Sequence, residues 1–173
     1  MSIIVISYSF TGNNEALASN VAKELSAEYI RILESKPRTL GTITLDMIFS
    51  RTPLVQPAPD LLGKYDLILF FGPIWMGQVA TPLRAYLKYL KTNRYKYGFI
   101  SISGGADGTN PKVSGELRKR TGTDPAVLID LHIADLLPPG PIPARKDTSA
   151  YRLDDGDIKQ LSSTIVKKLM DVI

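Results

Sequence analysis

The chain has no cysteine. Disulfides, thiolate nucleophiles, iron–sulfur clusters and cysteine-based zinc sites are excluded, and any redox chemistry has to come from a bound cofactor. Histidine is almost as scarce. The single one, His132, cannot build a multi-histidine metal set, and a serine triad also lacks its Gly-x-Ser-x-Gly elbow; His132 reads as a strand-end or loop residue. No apolar run approaches the roughly 18–20 residues that span a bilayer. The N-terminus enters Ser2-Ile-Ile-Val-Ile-Ser7 directly, without a charged leader, so a soluble, cytoplasmic protein is the expectation. Internal repeats are missing, and the Pro-rich stretches are too short to form low-complexity domains.

What is present is enough for a core. The 173 residues are 44% hydrophobic, the size and composition of one domain spanning 1–173. Lys and Arg number 21 against 17 Asp and Glu, a net charge of +4. A basic balance raises nucleic acid as a partner, but the positive residues look scattered. Their densest cluster, Arg118-Lys119-Arg120, reads as a solvated helix end with no interleaved aromatics. No nucleic acid is expected; the excess charge would act on association with acidic partners or anionic nucleotides.

Five short apolar runs, Ile3 to Ser7, Tyr29 to Leu33, Leu67 to Phe71, Tyr97 to Ile102 and Val127 to Leu131, alternate with helical patterns. That alternation predicts an α/β three-layer sandwich, a parallel sheet covered by helices on both faces. The first, third and fourth runs are nearly continuous in apolar residues, as central strands buried on both sides are. Helices are predicted over Asn14 to Leu25, Pro82 to Leu90, Pro111 to Arg120 and Asp154 to Met170, with a short one over Thr42 to Arg51. Thr81 and Pro82 read as N-cap and first-turn proline, and Gly122 as a terminator. The Asp154, Asp155, Asp157 cluster reads as a helix N-terminus, although it could also hold a cation. Thr52 to Gly63 and Pro138 to Arg145 read as loops. Tyr95, Tyr97 and Tyr151 receive no role.

The first strand ends in Ser7-Tyr8-Ser9-Phe10-Thr11-Gly12-Asn13-Asn14-Glu15 and enters a helix. Free N–H groups at the helix start favour an anion, Gly12 permits close approach, and Ser9, Thr11, Asn13 and Asn14 can add neutral donors, so a phosphate could be held without a cation. The absence of a Lys-Ser or Lys-Thr pair in the loop argues against a nucleoside-triphosphate P-loop, and the Gly-x-Gly-x-x-Gly dinucleotide fingerprint is absent. An ordinary Ser/Asn-rich capping turn has the same composition, and both readings stay open on the loop alone. Ser9-Phe10-Thr11-Gly12-Asn13-Asn14 resembles the Ser/Thr-x-Thr-Gly-Asn-Thr loop of flavodoxins and flavodoxin-like FMN proteins, with Asn14 where threonine is usual. The resemblance implies a five-stranded parallel sheet of order 2-1-3-4-5, with this loop around the 5′-phosphate of FMN.

Two further segments fit that resemblance. Gly72-Pro73-Ile74-Trp75-Met76-Gly77-Gln78 is similar to the Gly-x-Pro-x-Trp-x-Gly stretch beside the flavin ring, which implies Pro73, Ile74, Trp75, Met76 and Gly77 as ring contacts. Trp75, the only tryptophan, is suited to stack on or edge a flat ring, though it could equally pack over a hydrophobic lid. Gly77 is best able to turn a peptide whose carbonyl would accept a hydrogen bond from reduced flavin. After the fourth strand, Ser103, Gly104 and Gly105 match the loop that borders the pyrimidine end, although a plain glycine turn looks the same. Neither a catalytic side chain nor a metal is nominated. The implied function is an FMN-binding electron carrier between redox partners. The alternatives are an NAD(P)H-dependent quinone reductase and a flavin-free binding module of the same fold. Carriers of this kind are usually acidic and this chain is basic. The Pro-rich segments could build a substrate wall or a homodimer contact.

Overall fold

The computed structural model describes residues 1–34, 39–106, 108–138 and 143–172. In chain order, β1 (Ile3–Ser7) leads to α1 (Asn13–Glu24), β2 (Glu28–Arg31), the two-residue β3 (Leu33–Glu34), α2 (Leu40–Ile48) and the two-residue β4 (Val55–Gln56). A 3-10 turn, Pro59–Lys64, precedes β5 (Leu67–Phe71), the small pair β6 (Ile74–Trp75) and β7 (Gln78–Val79), and a second 3-10 turn, Thr81–Leu83. Then come α3 (Arg84–Asn93), β8 (Lys96–Ser103), α4 (Val113–Thr121), β9 (Val127–His132), α5 (Arg145–Ala150) and α6 (Asp155–Met170).

The main sheet is five-stranded and all-parallel, in the order β2-β1-β5-β8-β9. Counting only its own strands, that is the expected 2-1-3-4-5. β1 is central: Val5 is opposite Tyr29 on one side and Leu69 on the other. Alternate side chains of the buried strands feed two separate cores. Ile4, Ile6, Ile68, Phe70 and Phe99 pack against Leu83, Leu87 and Leu90 of the α3 side and Leu117 of α4. Val5, Leu69, Phe71 and Ile100 pack against Leu17 and Val21 of α1 and Ile165 and Leu169 of α6. Each such residue contributes about 1.5–3 kcal/mol on burial. The result is three layers. The order of strand addition reverses between β1, whose helix leads to β2 on one side, and β5, whose helix leads to β8 on the other. A crevice opens there at the C-terminal strand ends, where ligands of open α/β sheets bind.

Several local expectations need correction. The run Tyr29 to Leu33 is not one strand: after Arg31, the Ile32 N–H still bonds to Ser7 O (2.7 Å), and Leu33–Glu34 turn away to pair antiparallel with Val55–Gln56. Thr81 is not a helix N-cap. Ala80 flanks the 3-10 turn, Thr81 is its first residue with a buried hydroxyl that finds no partner, and α3 begins only at Arg84. The Thr52 to Gly63 loop contains β4 and most of a 3-10 turn. Within Pro138 to Arg145, residues 139–142 lie outside the described ones. By contrast, Asp154 accepts the Asp157 N–H (2.8 Å) and Asp157 accepts the Asp154 N–H (3.3 Å), a reciprocal cap for α6. Gly122, at φ +80°, closes α4. Among the described residues, no helix is long and apolar enough to cross a membrane.

Candidate functional site

Three loops leave the C-terminal ends of β1, β5 and β8, and they converge on one cleft. One part, about 170 Å³, is lined by Phe10, Thr11, Asn13, Asn14, Pro73, Ile74, Trp75, Ser103 and Gly104 of the predicted set, together with Ile102, Ile133, Thr148 and Ser149. An adjoining part, about 280 Å³, is lined by Ile74, Met76, Gly77, Ser103, Gly104 and Gly105, with Arg145 and Thr148 opposite. Ile74, Ser103, Gly104 and Thr148 border both. Joined, the two fall within the roughly 300–1,000 Å³ of ordinary ligand pockets. Ser9 and Gly12, also predicted, shape the turn rather than the wall.

The β1–α1 loop is built from its turn outward. Ser9 Oγ accepts the Gly12 N–H (3.0 Å), and Gly12 takes φ +96°, a left-handed conformation that L side chains resist. A Cβ at Gly12 would meet nothing within 4 Å, so backbone conformation rather than crowding requires glycine. The first helical bond runs from the Ala16 N–H to Gly12 O (2.9 Å). The N–H groups of Asn13, Asn14 and Glu15 are left as the orphan donors of the helix start, where the dipole favours an anion. The Thr11 hydroxyl has no partner among the described residues, and the Ser9 hydroxyl, which accepts from Gly12, keeps its own hydrogen to donate.

The side-chain amides of Asn13 and Asn14 do something other than expected. Asn14 Nδ2 donates to Ile102 O (2.9 Å) and its Oδ1 accepts the Ile102 N–H (3.0 Å), bolting α1 to the end of β8. Asn13 Nδ2 donates to Tyr151 O (3.1 Å) and its Oδ1 accepts the Leu153 N–H (3.1 Å), bolting α1 to the lead-in of α6. Both residues are buried, and a buried amide has to satisfy its own polar atoms. With both amides committed to the scaffold, the main-chain N–H groups are what these residues have left to offer an anion. Asn14, where the flavodoxin loop usually has threonine, thus has a structural task, its amide nitrogen and oxygen meeting both main-chain groups of Ile102 at once.

The β5 loop folds into the β6–β7 hairpin, with Trp75 opposite Gln78. Its two-residue turn puts Met76 at φ +51° and Gly77 at φ +73°, the pair of positive angles of a type I′ turn. Met76 is an uncommon residue there and stands 82% exposed at the tip. Trp75 is held edge-on by two rings, Tyr8 (5.9 Å, 88°) and Phe10 (6.5 Å, 89°). Such contacts contribute about 0.5–1.5 kcal/mol each beyond burial, so the half-buried indole keeps a fixed plane at the cleft.

The third loop is pinned from below. Ala134 N–H bonds to Gly104 O (3.0 Å), and Gly108 N–H to Gly105 O (2.9 Å). A Cβ on Gly105 would sit 2.4 Å from His132 Cβ, at φ +73°; one on Gly104 would sit 2.9 Å from Thr148 Oγ1. His132, the last residue of β9, is therefore a support: its Nε2 lies 3.1 Å from Asp130 Oδ2, which also accepts from Asn110 Nδ2 (3.0 Å). Asp107, part of this loop in the sequence, lies outside the described residues.

Sequence reasoning missed α5. Its Thr148 and Ser149 face the cleft from residues that received no reading, only Arg145 lying in the expected Pro138 to Arg145 loop, and the one signal was Asp147, whose carboxylate accepts the Ala144 N–H (3.2 Å). Tyr151 follows at the joint to α6. Its hydroxyl donates to Asp157 (2.7 Å), and that hydrogen bond, with burial, raises the phenol pKa.

No protein-family model matches the chain, and no curated protein sequence does. Solved structures do. A flavoprotein from Lactobacillus acidophilus NCFM, described in complex with FMN, aligns over 75% of this chain and 92% of its own, with 23% identity and a TM-score of 0.60. The fold is flavodoxin-like. A flavodoxin from Streptococcus pneumoniae TIGR4 aligns over 99% of this flavodoxin-like chain and all of its own (14% identity, TM-score 0.53). The Trp repressor binding protein from Bacillus subtilis covers 96% and 98% (16% identity, TM-score 0.54). At these identities the likeness is one of fold.

Proposed function

We propose that this chain binds FMN non-covalently in the cleft and carries electrons between redox partners, acting as one domain in the cytoplasm. The observation that carries the reading is the meeting of three loops of different character at one strand edge. Orphan N–H groups of Asn13, Asn14 and Glu15 stand at one end, a fixed indole at the side and a glycine loop opposite. The fold-related Lactobacillus acidophilus protein, described with FMN, supports it.

The residues fit the group. The N–H cradle and the Thr11 hydroxyl would hold the phosphate, Trp75 would flank the ring, and Gly104 and Gly105 would admit its edge without side-chain obstruction. Bound flavin would supply the electron chemistry. This chain's part is to orient the ring between Trp75 and the Ser103–Gly105 segment, to keep water from its faces, and to offer main-chain polar groups to its rim. No side chain is assigned as acid or base. The basic balance, +4, favours a second reading, an NAD(P)H-dependent quinone reductase. Steady-state assays with NADPH and a quinone decide between them: the carrier reading expects no turnover above that of free FMN, and saturable turnover would move the protein to the reductase class. Fractionation of the cells that make it tests the location.

A further inference from the structure

A further cavity of the described residues lies apart from the cleft. About 550 Å³ in volume, it opens between α3 and α4. Arg84, Lys88 and Lys91, spaced i, i+4, i+7 on one face of α3, line it with Lys119 and Arg120 from the last turn of α4. Residues that the sequence presents as scattered are thus gathered around one hollow. Five cations face a single carboxylate, Glu116, and that carboxylate is already paired with Arg120. Among the described residues, Lys88, Lys91 and Lys119 form no ion pair. Holding like charges together opposes folding, so a cluster of this kind calls for an anion.

We propose that this cavity is a second ligand site, for a small organic anion carrying two or more phosphate groups. The volume is that of a small-molecule site. The hollow is recessed: Arg84, only 2% exposed, lines it and is fixed by donating to Asp46 O (3.4 Å), Arg51 O (3.2 Å) and Gln78 Oε1 (3.0 Å). A small anion reaches Arg84 at the floor of such a recess, whereas the surface of an acidic protein reaches only the exposed lysines at its rim. No aromatic side chain lines it, so no platform for stacking a base is offered and recognition falls on the phosphates. The hydroxyls of Ser50 and Thr52 add neutral donors at the rim. Gln78, a wall of this cavity, pairs with Trp75 of the cleft within one hairpin, so that hairpin borders both sites. The site stands whether or not the cleft takes FMN.

Amide chemical-shift titration with sodium tripolyphosphate at constant ionic strength, on the protein with and without added FMN, tests this. Shifts should gather at Ser50, Thr52, Gln78, Lys88, Lys91 and Lys119. Replacing Lys88, Lys91 and Lys119 by glutamine should weaken binding roughly fivefold per lysine. Should the triple variant fold poorly, Lys119→Gln alone, on an exposed helix end, carries the test. Shifts confined to Thr11 through Glu15, no response at all, or unchanged affinity in the variants would each overturn the proposal. So would an acidic protein that shifts these amides where tripolyphosphate does not.

Discussion

At the C-terminal edge of the sheet the groups proposed to meet an anion are the main-chain N–H donors of Asn13, Asn14 and Glu15. At the cavity between α3 and α4 they are the ammonium ends of Lys88, Lys91 and Lys119. The first set is fixed by the fold. Gly12 sets the turn, and the Asn13 and Asn14 amides tie the helix start to Ile102 and to the Tyr151–Leu153 segment. The second set sits on exposed side chains with long flexible stems. Fixed dipoles select by geometry and are little altered by salt, whereas exposed charges select by valence and are screened within about 8–10 Å at physiological salt. One small fold therefore has two ways of meeting phosphate, and substitutions and solvent conditions should separate them.

The largest expected effect is on the fixed set. Asn14→Ala would leave both the N–H and the carbonyl of Ile102 without the amide partner, at about 1–3 kcal/mol for each buried group unpaired. Urea denaturation should move to clearly lower concentration, while tripolyphosphate binding at the lysines of the folded protein persists. Gly12→Val comes next. A β-branched residue at φ +96° carries about 1–3 kcal/mol of strain, and relief of that strain by a shifted turn should weaken FMN binding roughly tenfold to a hundredfold in a fluorescence titration. Unaltered affinity would mean that the turn is not part of the cradle. Gly105→Ala should disturb the opposite wall, because its Cβ would collide with His132; the His132 ring resonances should shift, and FMN should bind more weakly than to wild type. Raising sodium chloride should then divide the sites, with tripolyphosphate affinity falling steeply and FMN affinity changing much less.

The smallest effect lies away from both. Burial holds the Tyr86 phenol at about 12, against an ordinary 10.0, where its hydroxyl donates to the Pro57 carbonyl. The unfolded chain would ionise first, so the stabilisation is complete below pH 10 and is lost as pH rises through about 12. Denaturation midpoints should drop across that window, and Tyr86→Phe should drop less.

The sheet was legible because buried parallel strands leave a plain mark: Ile3–Ser7 and Leu67–Phe71 are nearly unbroken apolar runs, and both are strands over those residues. Asp154 and Gly122 marked helix ends by local chemistry that needs no tertiary partner. Two-residue strands such as Ile74–Trp75 have no period to detect, and α5, Arg-Lys-Asp-Thr-Ser-Ala, has no apolar stripe, so its wall of the cleft went unseen. The three loops were legible as segments, but the direction of an amide was not. Whether Asn13 and Asn14 face a ligand or the scaffold depends on Ile102 and Tyr151, nearly ninety and about 140 residues away. The i, i+4, i+7 spacing of Arg84, Lys88 and Lys91 was visible, but only packing sets α4 beside it.

The central claim is that the cleft holds FMN. The most direct measurement is the visible absorption spectrum of the protein reconstituted with FMN and freed of unbound flavin, read together with the emission of Trp75. Retained flavin bands at one flavin per chain and quenched tryptophan fluorescence are the expected result. Colourless protein with unchanged emission would contradict it and leave a flavin-free binding module on a flavodoxin-like fold.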